Sequence, residues 1–128
     1  MNGLGPHLPN PAPIDAYGNG GFRFAGMSHR GSLLCLPNGV WASPVASAGE
    51  IDEAVLALAL EPATPDAAVG HFLIGTGKDF IAVSPALREA FRARRIVVES
   101  MSTGAAVRTY NILLGERRRI GALLVAVD

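Results

Sequence analysis

Two stretches of the sequence collect side chains suited to binding. The first is Gly75-Thr76-Gly77-Lys78, directly after the apolar run at residues 69–74. Glycines at the end of a strand let backbone N–H groups face an anion, and loops in that position are where open α/β sheets take ligands. Lys78 adds a positive charge. The turn lacks the spacing of a phosphate-binding P-loop, with its Ser or Thr after lysine, and it lacks the G-x-G-x-x-G dinucleotide pattern. It reads either as a site for a small anion or as a tight connection that needs glycine. The second stretch is residues 99–116, E-S-M-S-T-G-A-A-V-R-T-Y-N-I-L-L-G-E. Ser102 and Thr103 carry hydroxyls that accept the orphan N–H groups of a helix start, and Gly115 stands where helices commonly end, so a helix is expected over residues 102–114. Helical spacing puts Ala106, Tyr110, Leu113 and Leu114 on one side and Gly104, Arg108, Asn111 and Gly115 on another. The candidate binding residues are therefore Gly75, Thr76, Gly77, Lys78, Thr103, Arg108 and Asn111. The alternative for Arg108 and Asn111 is a role in capping neighbouring loops.

Other chemistries find less support. No G-x-S-x-G elbow is present, and no Ser/His or Cys/His pairing follows from the order of residues. Cys35 sits inside Leu33-Leu34-Cys35-Leu36 and reads as a small buried hydrophobe. His7, His29 and His71 show no metal-ligand spacing, and no metal or cofactor is implied. His71 reads as a satisfied edge or cap residue, with no partner for a catalytic base beside it in sequence. Asp52, Glu53 and Glu61 belong to a solvated helix face, and Glu116 with Arg118 suggests an ion pair. Arginines cluster at 92, 94 and 95 and again at 117, 118 and 119. They suit helix ends, where cations complement the dipole. No aromatic residues interleave with them as a base-stacking groove requires, which argues against nucleic acid.

The elements that would position these residues follow from pattern. The 128 residues fit one domain with a sizeable core, and eleven basic and eleven acidic residues cancel. Residues 1–13, rich in Gly and Pro, are expected to be a flexible arm, and 14–128 a single domain. Asn19-Gly20-Gly21 lies between strand formers and predicts a hairpin over residues 14–25. A turn is expected at 26–29, strands at 31–36 and 40–42, and a helix at 51–60 stopped by Pro62 and Pro65. A strand at 69–74 and a helix at 85–94, capped by Ser84-Pro85, follow. Strands at 96–98 and 120–127 flank the polar helix. The last is apolar on both faces and should be central. Trp41 is expected to pack in the core or at its rim. Alternation of this kind predicts an α/β fold: a three-layer single domain with a central mixed sheet flanked by helices and an N-terminal β-hairpin region.

Three stretches also carry a resemblance. Met101 through Leu114 with Glu116 and Arg118, Asp15-Ala16-Tyr17-Gly18 with Gly21-Phe22-Arg23, and Leu73-Ile74-Gly75-Thr76-Gly77 together resemble the Mth938-like family of domains of unknown function. The resemblance covers residues 14–127 and implies the same three-layer fold. Lys78 lies outside the family's pattern. The family has no general assigned reaction, but its mitochondrial members are similar to assembly factors for respiratory complex I, and another branch is adipogenesis-associated. That implies a noncatalytic interaction protein, an assembly factor for a respiratory or membrane complex, acting through Arg108, Asn111 and the loops near Gly75 and Met101. The alternative is a small-molecule domain or enzyme with an anion pocket between the Gly75 loop and the Thr103 to Asn111 helix. Homo-oligomerisation could accompany either. No stretch approaches the roughly 20 apolar residues of a membrane helix, and the N-terminus is not arginine-rich, so membrane insertion is not expected and a cytoplasmic location is.

Overall fold

The N-terminal strands are set by their turns. In the computed structural model, which describes residues 8–60 and 68–128, β1 (Ile14–Gly18) pairs antiparallel with β2 (Gly21–Phe24). Asn19 at φ 53° and Gly20 at φ 80° form the left-handed two-residue turn that matches strand twist. Gly21 must stay glycine, because a Cβ there would overlap the His29 carbonyl. A third strand, β3 (Met27–Arg30), then pairs with β2. Here the structure corrects the turn predicted over 26–29. Ala25 at φ 49° and Gly26 at φ 76° make the whole turn. Alanine is a poor marker of left-handed backbone, and Met-Ser-His-Arg has no apolar alternation, so the strand exists through its pairing rather than its own propensity.

The remaining elements are β4 (Ser32–Leu36), β5 (Gly39–Ser43), a 3-10 turn (Ala48–Glu50), α1 (Glu53–Leu60), β6 (His71–Gly75), α2 (Pro85–Ala93), β7 (Val97–Met101), α3 (Thr103–Gly115) and β8 (Ile120–Leu124). They build a mixed sheet in the order β5-β4-β8-β6-β7. β4 runs antiparallel to β5 and β8, while β6 is parallel to β8 and β7. β8 lies in the middle with all five residues buried, as its two apolar faces require. It stops at Leu124, short of the predicted 127. Beyond it the backbone turns to loops: Val125 N–H donates to Gly75 O, Ala126 N–H to Ser32 Oγ, and Val127 O accepts from Gly20 N–H.

Strand alternation divides the core in two. Leu34, Leu36, Phe72, Ile74, Leu123 and Val125 pack with Leu56, Leu60, Leu87 and Phe91 of α1 and α2. Leu33, Cys35, Leu73, Ala122 and Leu124 pack with Ala106, Val107 and Tyr110 of α3 and with Ile14, Phe22 and Phe24. The fold is thus mixed α/β, with α1 and α2 against one face and α3 with the three-stranded sheet against the other. Phe72 and Phe91, rings 5.3 Å apart, tie α2 to the sheet. Burying one such side chain is worth about 1.5–3 kcal/mol. Trp41 is buried in the same cluster.

Local chemistry places the helix ends. Val55 N–H donates to Asp52 Oδ1 at 2.9 Å, which starts α1 at Glu53 rather than at Ile51. Ser84 accepts from Leu87 N–H with Pro85 at the first helical position. Ser102 accepts from Ala105 N–H and begins α3. Gly115 is the last residue of α3 and not its left-handed stop, which falls at Arg117, φ 60°. The expected stop at Pro62 and Pro65 and the first half of the expected arm lie outside the described residues. From residue 8 onward the chain is placed: Leu8 bridges to Val40, and Ala12 is buried.

Candidate functional site

The parallel strands β6 and β7 end side by side, Gly75 opposite Met101. That register brings the Gly75-Thr76-Gly77-Lys78 turn against the start of α3. The two segments are stitched together. Thr76 N–H donates to Met101 O at 2.8 Å and Thr103 N–H to Gly77 O at 2.8 Å. The Thr103 hydroxyl accepts from Gly77 N–H at 2.9 Å and donates to Val125 O at 2.7 Å. Thr103 is 0% exposed. The Thr76 hydroxyl lies 2.6 Å from Asp79 O and 3.1 Å from Met101 O, and accepts from Ile81 N–H. Gly75 is glycine for space: a Cβ there would meet Thr103 Cα and Oγ1 at 3.0 Å. Gly77 is glycine for backbone, at φ 105°.

Asn111 is also engaged internally. Its Oδ1 accepts from Ile14 N–H at 2.8 Å and its Nδ2 donates to Ile14 O at 2.9 Å, so one amide completes both backbone groups of the first residue of β1. Arg108, one turn earlier on the same side of α3, remains exposed. It opens onto a cleft of about 670 Å³ that Gly77, Lys78, Gly104, Tyr17 and Asp128 also line. Of the seven candidate residues, the structure gathers Gly77, Lys78 and Arg108 around this cleft. Gly75, Thr76, Thr103 and Asn111 form the scaffold beneath or beside it.

Some neighbours of the cleft are not marked in the sequence as site residues. Tyr17, 43% exposed, lies against α3 where a Cβ on Gly104 would overlap its hydroxyl. Phe80 and Ile81, directly beyond Lys78, are 63% and 51% exposed. Two large apolar residues between a glycine turn and the Ser84-Pro85 cap were the available signal. Ile81 lines a separate depression of about 240 Å³ with Ile74, Val83, Leu87 and Ser100.

His71 is a satisfied residue, and its partner is one that the sequence order does not place beside it. Its Nε2 lies 2.9 Å from Glu99 Oε1, because the parallel register carries β7 past β6 with Val97 opposite His71. Glu99 is exposed, and the pair stands on the sheet surface away from the cleft. Glu116 and Arg118 approach to 3.8 Å as expected. Cys35 is fully buried, and burial pushes its thiol up to about 12. The Tyr110 hydroxyl faces it and is likewise raised by burial; the two groups perturb one another, although no hydrogen bond of ordinary geometry joins them. A neutral, inaccessible thiol is not a nucleophile. Among the described residues, no three His, Cys, Asp or Glu side chains gather as a metal site, and no helix is long and apolar enough to cross a membrane.

This arrangement of strands, glycine turn and α3 has known counterparts. A family model described as a protein of unknown function (DUF498/DUF598) matches residues 14–125. The chain belongs to this family. Its Mth938-like character is seen in a Bordetella pertussis protein described as a Mth938-like domain, 27% identical with a TM-score of 0.76 over 90% of this chain and 85% of that one. A Bartonella henselae structure described as an outer membrane protein is 46% identical with a TM-score of 0.86, covering 95% of this chain and 100% of that one. The mouse (Mus musculus) NADH dehydrogenase (ubiquinone) 1 alpha subcomplex assembly factor 3 is 32% identical over 120 residues, which is 92% of this chain. The family member described here spans 62% of the mouse protein's length.

Proposed function

We propose that this protein is a noncatalytic interaction protein that assists the assembly of a respiratory or membrane complex, working from the cytoplasm. The observation that carries this reading is the similarity to the mouse assembly factor along nearly the whole chain. The chemistry of the junction agrees with it. Thr76, Thr103 and Asn111 have their hydrogen-bonding groups engaged within the fold, and Cys35 is buried. What is exposed at that end is Lys78, Asp79, Phe80 and Ile81 of the loop and Arg108 of α3. Exposed apolar side chains beside cations suit the centre and edge of a protein interface. Proximity labelling in expressing cells tests the reading, with wild type beside a Lys78→Ala, Arg108→Ala double variant. Partners from a membrane complex that vanish with the still-folded variant are expected. An absence of reproducible partners for the wild type would count against it.

A second reading rests on the cleft. Lys78 and Arg108 both border it, against Asp128, and the start of α3 at Ser102 and Gly104 lines it, where the helix dipole adds positive potential. That supports binding of a small anionic metabolite. Titration with inorganic phosphate and phosphorylated metabolites, followed by amide chemical shifts of Gly77 and Gly104, decides it: unchanged shifts at millimolar ligand remove this reading.

A further inference from the structure

The two arginine clusters of the sequence meet at the other end of the sheet. Val97 of β7 and Ile120 of β8 both stand level with His71 of the intervening β6. The turns that lead into them therefore reach the same end of the sheet, one from α2 on one face and one from α3 on the other, and the strands they enter start two strand spacings or about 10 Å apart. Gly70 clips them together, donating to Arg119 O at 3.1 Å and accepting from Val97 N–H at 3.0 Å. Arg92, Arg94, Arg95, Arg117, Arg118 and Arg119 are all exposed. Six of the eleven cations of a chain with no net charge thus share one end. Two of them have local counter-charges at long range: Glu89 is 3.9 Å from Arg92 and Glu116 is 3.8 Å from Arg118. Among the described residues no ion pair engages Arg94, Arg95 or Arg117.

Backbone geometry adds a separate observation. After α2, Arg95 N–H bonds Arg92 O and Ile96 N–H bonds Phe91 O; after α3, Arg117 N–H bonds Leu114 O and Arg118 N–H bonds Leu113 O. Both are the helix stop in which a left-handed residue follows the cap, a position that favours glycine. Both hold arginine there instead, at φ 59° and 60°. Left-handed backbone favours glycine at either place; arginine there complements the helix dipole and also offers its guanidinium to an anionic partner.

We propose that these two turns form one docking surface for an acidic segment of a partner protein. A protein fits better than the other polyanions. The exposed aromatics among the described residues, Tyr17 and Phe80, lie at the opposite end, so this surface has no ring to stack on bases or to anchor in lipid. It does have apolar contact area: Val97 at its margin is 59% exposed, and Ile112 in the last turn of α3 is 62% exposed. Guanidinium groups grip carboxylates bidentately, and arginine is enriched at protein interfaces.

This surface goes beyond the assembly reading and is independent of the rim at Lys78 and Arg108, so failure of labelling there and failure of binding here are separate results. The test is binding of a fluorescein-labelled decaglutamate peptide to the full chain, beside phosphatidylglycerol vesicles and a single-stranded DNA. The Arg95→Gly, Arg117→Gly double variant should melt no lower than wild type, because glycine relieves both left-handed positions. It should nonetheless bind the peptide at least about tenfold more weakly. An Arg23→Gln, Arg30→Gln variant, which removes the same charge elsewhere, should bind as wild type does. The proposal is overturned if the peptide does not bind, if both variants weaken it equally, or if vesicles or DNA bind more tightly than the peptide through the same arginines.

Discussion

The junction between Gly75–Gly77 and Thr103 and the segment that begins one residue later, at Lys78, are neighbours in sequence with opposite characters. In the junction every conspicuous polar group has an internal partner: Thr103 alone joins the β6 turn, α3 and the strand exit at Val125. In the segment from Lys78 to Ile81, side chains are exposed and the backbone is held through the Thr76 hydroxyl, which accepts from Ile81 N–H and lies 2.6 Å from Asp79 O. The difference teaches that a motif which looks ligand-directed can be the scaffold, while the side chains left exposed are those just outside it.

The largest expected effect comes from breaking the junction. Thr103→Val keeps the shape but leaves Gly77 N–H and Val125 O unpaired in a dry site, and should lower unfolding free energy by about 2–4 kcal/mol in urea titration. Thr103→Ser should recover most of it. Gly75→Ala forces a Cβ against α3 backbone and is expected to cost about 1–3 kcal/mol, read from the thermal midpoint. A smaller loss would mean that the junction yields more readily than its spacing suggests.

Beneath α3, Cys35 sharpens the contrast through pH. Its folded pKa is raised from 9.0 to about 12, so its neutral form is favoured by the fold. That contribution is fully present below pH 9 and is lost as pH rises from 9 towards 12, at about 1.4 kcal/mol per unit at most. Cys35→Ala should remove the fall in stability between pH 9 and 10 and leave above pH 10 the part that buried Tyr110 contributes, and the native thiol should resist alkylation at pH 8 until the chain is unfolded. Asn111→Ala frees both backbone groups of Ile14 and should cost about 1–2 kcal/mol by urea unfolding. Arg108→Ala, one turn away, should stay within about 0.5 kcal/mol. Equal losses at these two positions would erase the distinction between scaffold and rim.

Much of the fold is legible because its signals are local. Asn19-Gly20 specifies the first turn, Ser84-Pro85 and Ser102 start two helices, and the apolar runs at Leu33–Leu36 and in β8 can only lie inside. β3 was hidden because Met27 to Arg30 has no pattern of its own and is held by β2. The candidate site was legible as a neighbourhood and not as a set of roles. Helical spacing does put Arg108 and Asn111 on one side of α3, but the arrival of β1 covers Asn111 and leaves Arg108 open. His71 and Glu99 are 28 residues apart, and only the parallel register joins them.

The sequence by itself determined the mixed α/β architecture, the central place of β8, the N-caps at Ser84 and Ser102, and the identity of the segments that converge beside Gly75. Side-chain periodicity and capping chemistry act over a few residues, which is why those features are readable in one dimension. Tertiary structure decided which polar groups are used up internally and which remain exposed. It also decided that two arginine clusters, more than twenty residues apart along the chain, stand together on either side of β6. Such outcomes depend on strand order and register, which are fixed by long-range pairing and burial rather than by any local run of residues.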